Sequence, residues 1–167
     1  MLITEEYRKL NSELHERNVN YGRSGSENIK VVLELSSRYN SKDILDYGCG
    51  KSTLNENLPF QIKQYDPAIE KYANQPEPAD IVVCTDVMEH IEPECLDAVL
   101  TNIKELTKKV AYFMIATKPA LKTLADGRNA HLIVQKPEWW TDKLNEYFKI
   151  VSIQEAGDDL LFVCEVL

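Results

Sequence analysis

Ile44-Leu45-Asp46-Tyr47-Gly48-Cys49-Gly50-Lys51-Ser52-Thr53-Leu54 is the stretch on which the reading of this chain turns. Its end, Gly-Lys-Ser, matches the close of a phosphate-binding loop. Its beginning, an apolar run ending in an acid and followed by Gly-x-Gly, opens a different kind of nucleotide site. The phosphate loop also needs a glycine five residues before the glycine of Gly-Lys-Ser, so that backbone amides can wrap the phosphates. That position is Leu45, inside the apolar run. The strand around Val83 imitates a metal-holding second element, but such strands are common. The other reading uses more of the residues. Asp46 ends a strand, and Gly48 and Gly50 let the chain turn sharply beside a ligand. Open α/β sheets bind ligands beyond the carboxyl ends of their strands. A second acid, Asp66, ends the next strand 18 residues after Gly48, where a carboxylate is placed to hold a ribose diol.

Outward from this stretch, helical and extended patterns alternate. Thr4 caps a first helix with Tyr7, Leu10 and Leu14 on one face. A loop rich in Asn and Gly follows from Asn18, and Ser26 caps a second helix running to about Tyr39. Strands are expected at residues 44–47, 62–66, 80–85, 110–116, 149–154 and 160–166, with a helix starting near Ser52. A helix after Pro93 carries Leu96, Val99, Leu100, Ile103 and Val110 on one stripe. Its acids lie in the first turn and Lys104, Lys108 and Lys109 in the last, complementing the helix dipole. Residues 118–136 are irregular, and a helix covers 138–147. The alternation predicts an α/β, doubly wound, mainly parallel sheet. The last two strands, joined by a short loop at Gly157, form an antiparallel hairpin.

Composition narrows the function. With 167 residues, 44% apolar and 28% charged, the chain fits one domain with a real core. Residues 1–40 supply helices that cover the ligand side, and 41–167 form the α/β core. No apolar run approaches the roughly 20 residues that span a bilayer, and the N-terminus lacks the apolar core of a signal peptide. The four cysteines show no Cys-x-x-Cys spacing, so reduced thiols and a cytoplasmic location are expected, with no metal site. A net charge of −8 repels phosphate backbones, and the basic residues form no stripe. Nucleic acid is therefore disfavoured against a small-molecule partner.

The segments "ILDYGCGKSTL", "QYDPAI" and "ADIVVCTDVMEHI", with the final strand pair, resemble a class I S-adenosylmethionine-dependent methyltransferase. The likeness runs from about Tyr21 to the end. "NYGRSG" and "DGRNAHLIVQKPEWW" point to a compact bacterial or phage branch. The resemblance implies a Rossmann-like sheet of order 3-2-1-4-5-7-6 and S-adenosyl-L-methionine as cofactor. It places Asp46, Gly48, Cys49 and Gly50 at the cofactor's methionine end and Asp66 at the ribose hydroxyls. Pro67 and Ala68 would lie against adenine, and Thr85 and Asp86 would face the sulfonium and the methyl acceptor. Tyr21, in the loop before the second helix, is a further cofactor contact, with Arg23 beside it. Two departures stand out. The motif's third glycine is Ser52, and only 13 residues separate Asp66 from Asp80, so the third strand unit is reduced or missing. The place after the fourth strand lacks the Asn/Asp-Pro-Pro-aromatic motif of base-modifying DNA methyltransferases.

The expected function is methyl transfer to an oxygen or nitrogen of a small molecule. The alternative is a non-catalytic cofactor-binding module that partners another protein. Methyl transfer asks the protein to orient the acceptor and, for a hydroxyl, to remove a proton. The candidates are His131, whose ordinary pKa suits neutral-pH base chemistry, Arg128 as an anion clamp, and Asp86. Each has a plainer role: loop histidine, loop salt bridge and helix cap respectively. His90 is expected to be packed and hydrogen-bonded, and His15 to lie on the first helix's surface. Of Trp139 and Trp140, at most one walls a pocket; packing in the core or in a homodimer is the competing role.

Overall fold

The computed structural model describes residues 1–19 and 24–167. The first helix, α1 (Glu5–Arg17), begins where Thr4 Oγ1 accepts the Tyr7 N–H at 3.2 Å. A 3-10 turn (Ser24–Asn28) leads into α2 (Ile29–Arg38). Ser26 therefore lies inside that turn and is not the cap of α2. Asn28 stands at the helix start, and its Oδ1 accepts the Tyr112 hydroxyl at 3.3 Å.

Strand β1 (Ile44–Tyr47) is buried along its whole length and is followed by a short α3 (Thr53–Asn57). Next come β2 (Lys63–Tyr65), β3 (Ala79–Thr85) and α4 (Leu96–Leu106). The chain closes with β4 (Thr107–Ala116), α5 (Pro137–Asn145), β5 (Phe148–Ala156) and β6 (Asp159–Val166). The six strands form one sheet in the order β2-β1-β3-β4-β6-β5. β1 runs parallel to β2 and β3, and β3 runs parallel to β4, with Leu45 opposite Val82 and Ile81 opposite Val110. β6 is antiparallel to both β4 and β5. This is the expected order without its third strand. Between Asp66 and Ala79 the described chain holds only the 3-10 turn Glu70–Tyr72.

Adjacent strand residues face opposite sides, and each side is covered by helices. Leu45, Val82, Cys84 and Phe113 pack with Val99, Leu100 and Ile103 of α4 and with Trp140 and Leu144 of α5. Ile44, Ile81, Val83, Val110 and Tyr112 pack with Val32 and Leu35 of α2 and with Leu54. Burying each of these large side chains contributes about 1.5–3 kcal/mol, which is what holds the helices to the sheet.

One boundary differs from the sequence pattern for a physical reason. The stripe of α4 stops at Leu106, because Thr107 takes extended backbone (φ −95°, ψ 119°) and starts β4 directly, its Oγ1 donating to the Ile103 carbonyl at 2.7 Å. Val110 then packs on the opposite side of the sheet from α4. Lys108 and Lys109 do not serve the helix dipole. They pair with Asp43 at 2.9 Å and Asp80 at 2.7 Å beside the strands' amino ends.

Candidate active site

The turn after β1 is held to the end of β2 by backbone donors. The Gly48 and Cys49 N–H groups both donate to the Tyr65 carbonyl, at 2.7 and 3.0 Å. Gly50 N–H donates to Asp66 Oδ2 at 3.0 Å, and Ala68 N–H to Asp66 Oδ1 at 2.9 Å. Gly48 sits at φ +79°, and a Cβ there would come within 2.4 Å of Val87 Cγ2, so this position requires glycine. Ser52, in the place of the missing third glycine, takes the same left-handed conformation at φ 67°. Its hydroxyl accepts the Gln64 amide. Lys51, the residue that suggested a phosphate loop, donates to the carbonyls of Asn18 at 2.6 Å and Val19 at 3.1 Å. It anchors the carboxyl end of α1.

The turn borders a concave cavity open to solvent, the usual setting of a small-molecule site. Asp46, Gly48, Cys49, Gly50, Asp66, Pro67, Ala68, Thr85 and Asp86 all line it. Tyr21 and Arg23 lie outside the described residues. Asp46 is buried, and its Oδ2 has no hydrogen-bond partner among the described residues. Burial, reinforced by the neighbouring Asp66 carboxylate, raises its pKa to about 7. Burial also raises that of Asp66, against the two amide bonds that lower it.

The helix α1 roofs this cavity, a contribution that the apolar pattern of α1 does not reveal. Tyr7, Asn11 and His15, four residues apart and so on one helix face, line the cavity with Leu2 and Ile3. His15 is thus a cavity residue and not a surface one, and burial lowers its pKa to about 4. The Tyr7–Asn11–His15 spacing was the available signal. Glu92 fastens the amino end of α1, accepting from Thr4 N–H at 2.9 Å and Thr4 Oγ1 at 2.7 Å. The Tyr7 hydroxyl donates to the His90 carbonyl.

Beyond β3, Asp86 adopts φ 58° and its N–H donates to the Met114 carbonyl at 2.9 Å, which fixes it at the carboxyl edge of the sheet. Asp86 and His90 border both the first cavity and a second one formed with Ala116, Lys118, Leu121 and His131. His90 is packed and hydrogen-bonded, its Nδ1 meeting the Ala130 carbonyl at 2.8 Å. His131 Nδ1 meets the Lys118 carbonyl at 2.6 Å, and burial lowers its pKa. The two rings meet edge to face with centroids 4.7 Å apart. Glu89, which the sequence did not single out, is fully buried. Its Oε1 accepts the Ala116 N–H at 2.8 Å, and burial raises its pKa to about 8.

Arg128 makes the loop salt bridge expected as its plainer role. Its Nε donates to Asp126 Oδ2 at 2.7 Å, its guanidinium lies 5.8 Å from the Tyr7 ring centroid, and it lines neither cavity. The same loop is braced by Asn129, whose side chain bonds both the N–H and the carbonyl of Ala120. Trp140 is fully buried in the core, and Trp139 is exposed beside it, the two rings meeting edge to face with centroids 5.0 Å apart.

Residues 12–157 match the family model of a methyltransferase domain. The chain belongs to this methyltransferase family. No curated protein matches it. Among solved structures, this methyltransferase is similar to the 1,6-didemethyltoxoflavin N1-methyltransferase of Burkholderia thailandensis, solved with 1,6-didemethyltoxoflavin and S-adenosylhomocysteine bound. The TM-score is 0.68 at 13% identity, over 99% of this chain and 91% of that one. It is also similar to the magnesium protoporphyrin IX methyltransferase of Synechocystis PCC 6803, solved with bound SAH. There the TM-score is 0.60 at 14% identity, over 85% and 83% of the two chains. At these identities the likeness is one of fold.

Proposed function

We propose that this methyltransferase binds S-adenosyl-L-methionine in the cavity beneath α1 and methylates an oxygen or nitrogen of a small molecule. The observation that carries this reading is the buried Asp46 carboxylate, with one oxygen lacking a partner, beside Asp66 in a cavity roofed by α1. A buried carboxylate is costly unless a cation or donors satisfy it, and a ligand with an ammonium group would do so. Asp46, Gly48, Cys49 and Gly50 would hold the methionine end, and Asp66 the ribose hydroxyls. Pro67 and Ala68 would face adenine, and Thr85 and Asp86 the reacting end. When bound, the cofactor supplies a methyl group already activated on a positively charged sulfur.

The chain's own work is then to admit, orient and deprotonate an acceptor. The second cavity meets the first at Asp86 and His90, so an acceptor lodged there lies against the reacting end. His131 borders that cavity and directs its Nδ1 to a backbone carbonyl, which leaves Nε2 as the lone-pair nitrogen facing the acceptor side. Such a positioned base contributes roughly 10²–10⁴-fold to rate. A small acceptor is favoured over nucleic acid by the net charge of −8. The complex of the similar enzyme with 1,6-didemethyltoxoflavin supports the same direction.

The test is to incubate the protein with methyl-labelled S-adenosylmethionine and fractionated metabolite extracts, then identify labelled products by mass spectrometry. A labelled small molecule, lost in His131→Ala while SAH still binds, is expected. Transfer confined to a macromolecular fraction would contradict the assignment.

A further inference from the structure

We infer that Asp86, Glu89, His90 and His131 form a binding site for a divalent first-row transition-metal ion. One ligand atom from each side chain falls in a cluster whose members all lie within 4.8 Å of one another. A coordination shell with bonds of about 2.2 Å spans about 4.4 Å, so side-chain adjustments of a few tenths of an ångström close it. Three further observations point to a ligand and not to a satisfied polar network.

First, both imidazoles are held as metal-binding imidazoles are. His90 Nδ1 meets the Ala130 carbonyl at 2.8 Å and His131 Nδ1 the Lys118 carbonyl at 2.6 Å. A carbonyl only accepts, so each Nδ1 carries the proton, as in imidazoles that ligate a metal through Nε2, and the His90 Nε2 is directed to Asp86 Oδ1, 3.8 Å away in the same cluster. Second, Glu89 is fully buried with its Oε1 occupied by the Ala116 N–H, while its Oε2 has no hydrogen-bond partner among the described residues. The His90–Asp86 pair, 3.8 Å apart, leaves that oxygen unexplained. Third, the cluster offers two carboxylates and two imidazoles, a donor set that suits a divalent cation. Mixed nitrogen and oxygen donors favour Mn²⁺, Fe²⁺, Co²⁺ or Zn²⁺ over Mg²⁺ and Ca²⁺, which take oxygen.

The site's place gives it a use. Asp86 and His90 stand between the two cavities, so an ion there has its open positions toward the acceptor side. It would take an acceptor bearing a hydroxyl beside a second oxygen donor, as in a vicinal diol or catechol. Bound to the ion, that hydroxyl loses its proton to water, and the ion's ligand role for His131 replaces the base role given to it above. This role, though not the site itself, rests on the methyltransferase reading above.

Full-length protein stripped with EDTA is titrated by calorimetry with MnCl₂, CoCl₂, ZnCl₂ and MgCl₂, and bound Co²⁺ is followed by its visible absorption. One equivalent of Mn²⁺ or Co²⁺ is expected, with Mg²⁺ weaker. His131→Ala and Glu89→Gln should each weaken Mn²⁺ by at least about tenfold, as losing a support of a metal site does. Leu121→Ala, beside the same cavity, should leave it unchanged. Circular dichroism and SAH binding establish that each variant is folded. His131, on the loop, keeps the test alive if buried Glu89 cannot be replaced. Absence of stoichiometric binding, or affinity unaltered in folded His131→Ala, overturns the site. Methyl transfer that survives EDTA overturns the ion's role and leaves the methyltransferase reading standing. Failure of SAH to bind with or without metal strikes that reading instead.

Discussion

Asp46 is the residue on which the cofactor assignment weighs most, because its burial makes a sign-definite prediction. Its folded pKa stands at about 7, raised by burial and by Asp66. Below that pH the free protein holds a proton on Asp46, and a cationic ligand must expel it. Affinity for SAH should therefore be flat above about pH 7.5 and fall by up to about tenfold per pH unit below 7. His15 in the same cavity stays neutral down to about pH 4 and adds nothing in this window. Calorimetry between pH 5.5 and 8.5 measures the profile, and Asp46→Asn should weaken binding and flatten it. A wild-type profile that rises toward low pH would contradict the placement. Gly48 offers a second residue-scale test. Gly48→Ala sets a Cβ against Val87 Cγ2 at 2.4 Å and strains φ +79°, so a loss of about 2 kcal/mol or more is expected in urea melts. Pairing it with Val87→Ala should recover part of that loss, and equal melts for single and double variants would show that the contact is not the cause.

At the scale of elements, α1 and the loop after β4 close the site from two directions and touch through Arg128 and Tyr7. Arg128 is partly exposed and ion-paired to Asp126, a kind of pair worth under about 1 kcal/mol. Arg128→Ala should lower stability by less than that, leave SAH affinity unchanged and cost far less turnover than His131→Ala. A turnover loss equal to that of His131→Ala would return Arg128 to the acceptor. These elements also show where the sequence was legible. Strand β1 and its turn were plain, because an apolar run, an acid and two glycines leave few alternatives. The roof was not, because Tyr7, Asn11 and His15 mix aromatic and polar chemistry and escape a search for apolar periodicity. The end of α4 was hidden as well. Val110 continues its stripe in number but belongs to β4, and the extended backbone of Thr107 that ends the helix shows only in three dimensions. The cluster around Glu89 went unread because Asp86, Glu89 and His90 meet His131 only through the fold.

For the whole molecule, the sheet order β2-β1-β3-β4-β6-β5 brings the carboxyl ends of β1, β2, β3 and β4 to one edge. The shortness of the stretch between Asp66 and Asp80 foretold the missing strand, since no strand-and-helix unit fits in it. The chain is a methyltransferase by family, and its described residues include no helix long and apolar enough to cross a membrane. The central claim is that the cavity under α1 takes S-adenosylmethionine and that the Gly-Lys-Ser sequence is no phosphate loop. Isothermal calorimetry on the purified protein, with SAH in one titration and ATP with Mg²⁺ in the other, tests it directly. The account predicts one equivalent of SAH bound, weakened in Asp66→Ala by about 1.5–3 kcal/mol as charge-assisted hydrogen bonds are lost, and no heat from ATP·Mg. Stoichiometric ATP·Mg binding abolished by Lys51→Ala, with no binding of SAH, would contradict it.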